Sequence, residues 1–255
     1  MKTKRWLLSV TLALIFLSNF SHAETVTIRA DNWFPINGNP ESATPGYMIE
    51  LATRIFGDAG HTVDYQTLPW KRAIVFVRKG LHDCVVGGNR KDTPDFVFPN
   101  VSWGVDSAVF YVKKDEKWRY TDLQSITSIQ LGLIGGYAYN DEFTAFIKKN
   151  KAHYQLLTAE NSLENNIKKL MAERITATLE SPLVMQAKLK EMELVDQIIP
   201  AGQLGESFDI YIACSPAKAS SKALVKLIDE GTQKLRQSGE LQTILDKYGV
   251  KDWIQ

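Results

Sequence analysis

Two glycines followed by an arginine are the first residues with recognisable binding chemistry. Residues 83–90 read Asp-Cys-Val-Val-Gly-Gly-Asn-Arg, a β-rich run that ends in Gly87 and Gly88 shortly before Arg90. A glycine lets a ligand approach bare backbone, and the planar guanidinium of an arginine can hold a carboxylate through two hydrogen bonds. We therefore predict that this strand end binds a ligand, with Gly88 and Arg90 in contact with it.

The sequence lacks the patterns that mark common catalytic and cofactor sites. It contains no G-x-S-x-G motif, no P-loop, and no G-x-G-x-x-G after a predicted strand. There is no C-x-x-C or H-E-x-x-H pair, and His61, His82 and His153 are isolated from one another. We expect a binding protein without metal or cofactor, and not an enzyme.

The first 23 residues have the pattern of a secretory signal peptide. Lys2, Lys4 and Arg5 precede an apolar run at 6–20, and Ser-His-Ala at 21–23 provides the small residues that signal peptidase recognises. The apolar run is shorter than the roughly 20 residues needed to span a bilayer. No cysteine stands directly after it, so no lipid anchor is expected. We predict cleavage after Ala23 and a soluble, monomeric protein in the bacterial periplasm.

The mature part of the chain is nearly neutral. Without the three basic residues at the N-terminus, 27 of the 30 basic side chains remain against 29 acidic ones. This balance provides no electrostatic basis for binding nucleic acid or an anionic membrane. The hydrophobic content of 44% is ample for a core.

Short β-rich runs alternate with helical periodicity, which is typical of an α/β protein with largely parallel sheets. The predicted strands are 25–30, 61–66, 83–87, 109–113, 129–134, 154–157, 177–179 and 208–214. The predicted helices are 47–59, 70–79, 140–149, 162–173, 182–191, 222–237 and 240–247. The pattern begins again after the charged stretch at 113–117. We therefore expect two similar halves, joined by strands that cross near 110–117 and 203–212.

Five stretches, in this order and spacing, resemble the family 3 extracellular solute-binding proteins, the periplasmic receptors that deliver amino acids and related small polar molecules to ABC importers. They are WFP (33–35), PGYMIELATRIF (45–56), PWKRAIVFVRKGLHDCVVGG (69–88), LGLIGGY (131–137) and LVKLIDEGTQKLRQSGELQTILDKYG (224–249). The resemblance covers residues 25–250. It implies the type II periplasmic-binding-protein fold, a ligand in the cleft between two lobes, and the membrane subunits of an ABC importer as partners. The first lobe would comprise 24–112 and 208–255, and the second 113–207.

The resemblance also implies which other residues face the cleft. Trp33 and Trp70 match family positions that supply aromatic walls. Gly136 and Tyr137 match the turn where the second lobe donates backbone N–H groups to the ligand. Glu180 matches an acid that commonly contacts the ligand's amine. Exposed surface positions remain the alternative for Tyr137 and for Glu180.

One position departs from the family pattern. Amino-acid receptors of this family carry an arginine in a Thr-x-x-Arg element that holds the α-carboxylate of the ligand, and the matching residue here is Asp95. Either Arg90 takes over this role, or the ligand has no carboxylate at that end. We favour Arg90, because an arginine directly after the glycines would be costly to bury unpaired. Arg72 is a second candidate, although a solvated helix face also explains it.

The two cysteines could form a disulfide. Cys84 and Cys214 are 130 positions apart, and the expected compartment is oxidising. The resemblance places both in strands of the first lobe. Strand cysteines are often simply buried apolar residues, so the sequence leaves both states open.

Two other functions would use the same fold. Some relatives are periplasmic dehydratases that use cleft carboxylates as acid or base, a role open to Glu180 and Asp31. A ligand sensor that partners a membrane receptor would also keep the same cleft.

Overall fold

The computed structural model describes residues 24–137, 139–158 and 161–254. The predicted signal peptide at 1–23 lies outside the described residues. Within these ranges the strands β1 to β8 are Thr25–Ala30, Thr62–Thr67, Cys84–Gly88, Gly104–Lys113, Leu131–Ile134, Tyr154–Leu157, Ala177–Glu180 and Ile198–Cys214. The helices α1 to α7 are Tyr47–Asp58, Trp70–Arg78, Asp141–Lys149, Ser162–Met171, Pro182–Glu191, Ser221–Ser238 and Glu240–Asp246, with 3-10 turns at Leu123–Ser128 and Lys151–His153. In this part of the chain no helix has both the length and the apolar character of a membrane span.

The eight strands form one sheet in the order β2-β1-β3-β8-β4-β7-β5-β6. At one end β2, β1 and β3 run parallel, and at the other end β7, β5 and β6 run parallel. Between them, β8 pairs antiparallel with both β3 and β4, and β4 pairs antiparallel with β7. The predicted α/β class is confirmed, and the long strands β4 and β8 connect the two parallel ends.

Helices cover both faces at each end of the sheet. Alternate residues of a strand face opposite sides, and the buried clusters follow this alternation. In β3, Val86 packs in a cluster with α1, α6 and α7, whereas its neighbour Val85 packs with α2. In β4, Phe110 packs with α3, whereas Tyr111 packs with α4 and α5. Burial on both faces explains why these strands read as apolar runs.

The buried cluster changes along the paired strands β4 and β8. Trp103 and Ile210 belong to the cluster that contains α1, whereas Phe110 and Leu204 belong to the one that contains α3. The strands therefore pass from one buried cluster to the other at about residues 104–109 and 205–209. The lobe boundaries expected from the sequence, at 112 and 207, stay a prediction.

Strand β8 begins ten residues before its predicted start. The segment 198–207 contains Pro200, Gly202 and Gly205, residue types that normally indicate a turn. In the structure it pairs with β4 across two register shifts, and both glycines have positive φ values, 123° and 69°. Such bulges let glycines remain inside a paired strand.

The two cysteines form a disulfide that links β3 to β8. Cys84 and Cys214 lie directly opposite each other in the antiparallel register, and both are fully buried. Of the two states that the sequence left open, a disulfide or two free buried cysteines, the structure has the disulfide. It closes a separation of 130 residues, for which the chain-entropy model gives about 4–5 kcal/mol of stabilisation.

Candidate ligand-binding site

The loops that follow several strands enclose a cavity of about 440 Å³. The loops after β1, β3, β5 and β7 contribute to its wall, together with the start of α2 and the central parts of β4 and β8. Ligands of α/β proteins commonly bind at the carboxyl ends of strands, where loops vary freely. The volume lies within the range of small-molecule sites.

Aromatic side chains form a large part of the cavity wall. Trp33 lies in the loop after β1, and Trp70 is the first residue of α2. Tyr137 and Tyr139 follow β5, and Phe208 lies within β8. Such rings offer flat apolar surfaces for packing, and their faces attract cations.

The charged side chains of the cavity are predominantly acidic. Five acids line it: Asp31, Asp92, Asp106, Glu180 and Glu206. Lys91 is the one basic residue of this wall within the described chain, and its exposed side chain lies 3.7 Å from Asp141. No three His, Cys, Asp or Glu side chains in the ranges 24–137, 139–158 and 161–254 are placed to hold a metal ion.

Glu180, the last residue of β7, is the most deeply enclosed of these acids. Only 3% of the surface of this residue is exposed to solvent. Oε1 accepts hydrogen bonds from Nε1 of Trp33 at 3.1 Å and from the backbone N–H of Ser181 at 2.8 Å. Oε2 is buried and has no hydrogen-bond partner among the described residues. A buried carboxyl oxygen without a hydrogen-bond partner is costly, so it indicates a partner that ligand binding would supply.

Ser181 connects Glu180 to a second buried acid. Its backbone N–H donates to Glu180, while its hydroxyl donates to Oδ1 of Asp106 at 2.6 Å. Asp106 lies in β4 and is 7% exposed. The two carboxylates therefore share one positioning residue at the junction of β4 and β7.

Burial raises the pKa of the three inner acids. The pKa of Glu180 rises to about 8, mainly because burial disfavours its charge. The bonds from Trp33 and Ser181 oppose this increase, and repulsion from Asp106 and Asp31 adds to it. Burial also raises the pKa of Asp106 and of Asp31 to about 6. At neutral pH Glu180 therefore holds its proton while the two aspartates are largely ionised.

The loop that carries Asp31 and Trp33 is held against β3. The backbone N–H of Trp33 donates to the carbonyl of Asn37 at 2.7 Å, and the Asn37 side chain donates to the carbonyl of Asp31 at 2.5 Å. The Trp33 ring lies on Gly87, whose φ is 82°. A Cβ at Gly87 would stand 3.3 Å from Cε3 of that ring. The glycine thus provides both the backbone conformation and the space for the tryptophan.

The comparison with protein families identifies this architecture. Residues 26–251 match the bacterial extracellular solute-binding proteins, family 3. The chain belongs to this family. The resemblance and the periplasmic-binding-protein fold expected from the sequence are thereby confirmed.

Solved structures that share this fold come from proteins with different roles. An ABC uptake transporter substrate-binding protein from Streptococcus pneumoniae, with bound histidine, is 21% identical with a TM-score of 0.74, covering 90% of this chain and 94% of that one. A histidine kinase sensor domain is 17% identical with a TM-score of 0.69, covering 88% and 96%. An ancestral amino acid-binding protein, a precursor of cyclohexadienyl dehydratase, is 15% identical with a TM-score of 0.68, covering 88% and 95%. No curated protein sequence matches the chain.

Four of the ligand residues predicted for this family member line the cavity together. Trp33 and Trp70 come from the end of the sheet that contains β1 to β3, and Tyr137 and Glu180 from the end that contains β5 to β7. The hydrogen bond from Trp33 to Glu180 joins the two sides directly. The alternative of an exposed position is wrong for Glu180 because its side chain is buried. Contact of these four residues with a ligand stays a prediction.

Gly88 and Gly136 do not contribute to the described cavity wall. A Cβ at Gly88 would meet Cγ2 of Val85 at 3.4 Å and Cβ of Ala213 at 3.8 Å, so this position faces the protein interior. Gly136 is exposed, and the nearest atom to a Cβ there would be Cβ of Lys71, 4.0 Å away. Of the glycines after Val86, Gly87 is the one at the cavity.

Arg90 is also outside the cavity wall, contrary to the position expected from the sequence. Its guanidinium lies over the rings of Phe98 and Tyr211, 4.8 and 4.9 Å from their centroids. It also donates to the carbonyl of Pro99 at 2.8 Å. These contacts explain the difference, because two aromatic faces and a carbonyl already provide the partners that we expected a ligand carboxylate to provide.

The position of the family's clamp arginine is occupied by a surface ion pair. Asp95 accepts two hydrogen bonds from Arg78 of α2, at 2.7 and 3.0 Å. Neither residue lines the cavity. No arginine belongs to the described cavity wall, so the missing clamp is not replaced there by another guanidinium.

Sequence reasoning missed Asp106, Ser181 and Phe208. Asp106 and Ser107 interrupt an otherwise apolar strand, a signal that could have indicated a buried polar site. Phe208 carried no such signal, because a strand aromatic is expected in a core. Its position depends on how β8 crosses between the two ends of the sheet.

Proposed function

We propose that this protein is a periplasmic solute-binding protein that captures a small polar ligand and delivers it to an ABC importer. The observation that carries the proposal is the cavity, whose wall combines Trp33 and Trp70 from one end of the sheet with Tyr137 and Glu180 from the other. Membership of the solute-binding family supports the same function. The signal-peptide pattern at the N-terminus supports export, and we propose that the exported protein is a monomer.

In the proposed mechanism the two ends of the sheet act as hinged lobes. A ligand that contacts both sides binds the closed arrangement more tightly than the open one, and shifts the equilibrium by that difference in affinity. The strands β4 and β8, where the core changes from one cluster to the other, are the natural hinge. A membrane partner would then recognise the closed form.

A solute screen on the mature chain, residues 24–255, tests this function. We expect one class among amino acids, organic acids and amines to raise the melting temperature, because a ligand that binds the folded state stabilises it by mass action. The same solute should change tryptophan fluorescence and reduce the radius of gyration in X-ray scattering. Trp33→Ala should weaken these effects, whereas the exposed Leu81→Ala should not. A protein that responds to no solute would contradict the proposal.

An enzymatic function is the second candidate, favoured by the pKa of Glu180. A carboxylic acid that is still protonated near pH 7 can act as a general acid, and Glu180 lines the cavity with two further carboxylates. Incubating the screened solute with the protein and following it by NMR separates the two functions. Conversion of the solute would support an enzyme, and an unchanged spectrum would support a receptor.

A further inference from the structure

We infer that the ligand is a small organic cation, an amine or quaternary ammonium compound that carries no carboxylate group. The inference rests on the proposed function, since it concerns the ligand of the same cavity. Three features of the wall carry it: the charge balance, an unpaired carboxylate oxygen, and the aromatic rings.

The charge balance of the wall favours a cation. Five acids face one lysine, and two of these acids, Asp106 and Glu180, are buried. Acids in a low-dielectric cavity attract a cation strongly and repel an anion equally strongly. Lys91 does not offset this, because its side chain is exposed and paired with Asp141.

Glu180 provides the second feature, a buried carboxyl oxygen without a hydrogen-bond partner. Oε1 already accepts from Trp33 and Ser181, whereas Oε2 has no partner in the described part of the chain. The residue lines the cavity and is 3% exposed, so neither bulk water nor a surface side chain serves it. An ammonium group in the cavity would favour the ionised form of Glu180, donate to Oε2 and compensate the negative charge at the same time.

The aromatic wall indicates an organic cation. Trp33, Trp70, Tyr137, Tyr139 and Phe208 provide flat rings around the acids, the arrangement that holds alkylammonium groups through cation–π contacts. A cavity of about 440 Å³ also exceeds what a single metal ion needs, and it suits a molecule with an apolar backbone.

A carboxylate on the ligand would find no arginine in the described wall, where Lys91 is the one basic side chain. Three arginines of neighbouring segments lie outside the wall: Arg78 pairs with Asp95, Arg90 lies on two aromatic rings, and Arg72 is exposed on α2. An amino acid would therefore place its ammonium well and its carboxylate badly. The inference separates this protein from amino-acid receptors of the same fold.

Matched pairs of ligands test the inference directly. We propose calorimetry at pH 7.5 with agmatine against arginine, 1,5-diaminopentane against lysine, and choline against trimethylglycine. In the first two pairs the second member has an additional carboxylate, and in the third a carboxylate replaces the hydroxymethyl group. We expect at least one carboxylate-free member to bind, and its partner to bind at least tenfold more weakly. The inference is wrong if all three carboxylate-free amines fail to bind, or if a carboxylate-bearing member binds as tightly as its partner.

A charge-removing variant tests the role assigned to Glu180. Glu180→Gln keeps the size of the side chain and an acceptor for Trp33 but removes the negative charge. It should reduce the affinity for the bound amine at least tenfold. Glu191→Gln, which removes an exposed acid paired with Lys188 on α5, is the matched control and should leave the affinity unchanged. Equal affinity of Glu180→Gln and the unmodified protein would overturn the inference.

The failure of this inference is distinguishable from failure of the proposed function. A carboxylate-bearing or uncharged solute that binds, and that binds more weakly after Trp33→Ala, would overturn the inference and leave the proposed function intact. Absence of binding by every solute of the wider screen would overturn both.

Discussion

Replacing Glu180 by glutamine should stabilise the protein without ligand. The increase in the free energy of unfolding should become larger as pH rises. The pKa of Glu180 is about 8 in the folded protein against an ordinary value of 4.5. Between these values the unfolded chain releases the proton while the folded protein keeps it, so folding stability falls as pH rises from 4.5 to 8. Below 4.5 both states hold the proton, and above 8 both have lost it. Glutamine does not titrate, so the stability of the variant should not decrease over this pH range.

The size of this stability difference follows from the raised pKa of Glu180. One pKa unit corresponds to about 1.4 kcal/mol, so a pKa of about 8 in place of 4.5 corresponds to on the order of 4–5 kcal/mol above pH 8. The difference in unfolding free energy between Glu180→Gln and the unmodified protein should therefore be small near pH 4.5, about half developed near pH 6, and complete near pH 8.

Urea denaturation followed by circular dichroism at pH 5, 6, 7, 8 and 9 measures this difference. Glu191→Gln is the control and should change stability by less than about 0.5 kcal/mol at every pH, because its ion pair with Lys188 is exposed. If Glu180→Gln increased the free energy of unfolding by the same amount at every pH, the reasoning would be refuted. A lower free energy of unfolding than that of the unmodified protein at pH 8 would refute it as well. A confirmed gain would mean that this acid is kept at a cost to the empty fold.

Three further predictions concern the disulfide, the tryptophan donor and the arginine. Reducing the Cys84–Cys214 bridge, or replacing both cysteines with alanine, should lower the free energy of unfolding by about 3–5 kcal/mol in urea titrations; equal midpoints with and without reductant would contradict this. Trp33→Phe removes the N–H that binds Glu180, so calorimetry should show affinity for the amine reduced by about 1–2 kcal/mol; unchanged affinity would mean that this bond does not position the carboxylate. Arg90→Ala should leave affinity within about twofold while lowering stability by about 1 kcal/mol, because its contacts lie outside the cavity. A loss of binding by about 1.5–3 kcal/mol would restore the role that the sequence suggested for it.

The sequence predicted the regular elements well wherever local periodicity decides them. Helix α5 and strands β1 and β6 have the bounds expected. Strand β1 alternates polar and apolar residues, and Pro182 marks the start of α5. Strand β8 was predicted too short, since Pro200 and two glycines normally end a strand. Pairing with β4 over a long antiparallel register outweighs those local preferences.

The site was predictable only in part, because its residues converge from distant segments. Trp33, Trp70 and Glu180 could be proposed through the family resemblance, which carries three-dimensional information that a single chain lacks. Asp106 stands out in an apolar strand, but the sequence does not show that Ser181, 75 positions away, connects it to Glu180. The position of Arg90 was not predictable for the same reason, because nothing in the local sequence indicates that Tyr211 from β8 lies under the guanidinium.

The pH dependence of amine binding tests the central claim most directly, namely that the carboxylate of Glu180 receives a cation. A bound cation favours the ionised acid, so binding must lower its pKa from about 8 and release a proton. Calorimetry with choline or a diamine, which keep their charge below about pH 9, should show affinity rising from pH 6 to 8 and then levelling, with up to about one proton released near pH 7. Affinity that is constant or falls over this interval, or proton uptake on binding, would contradict the account.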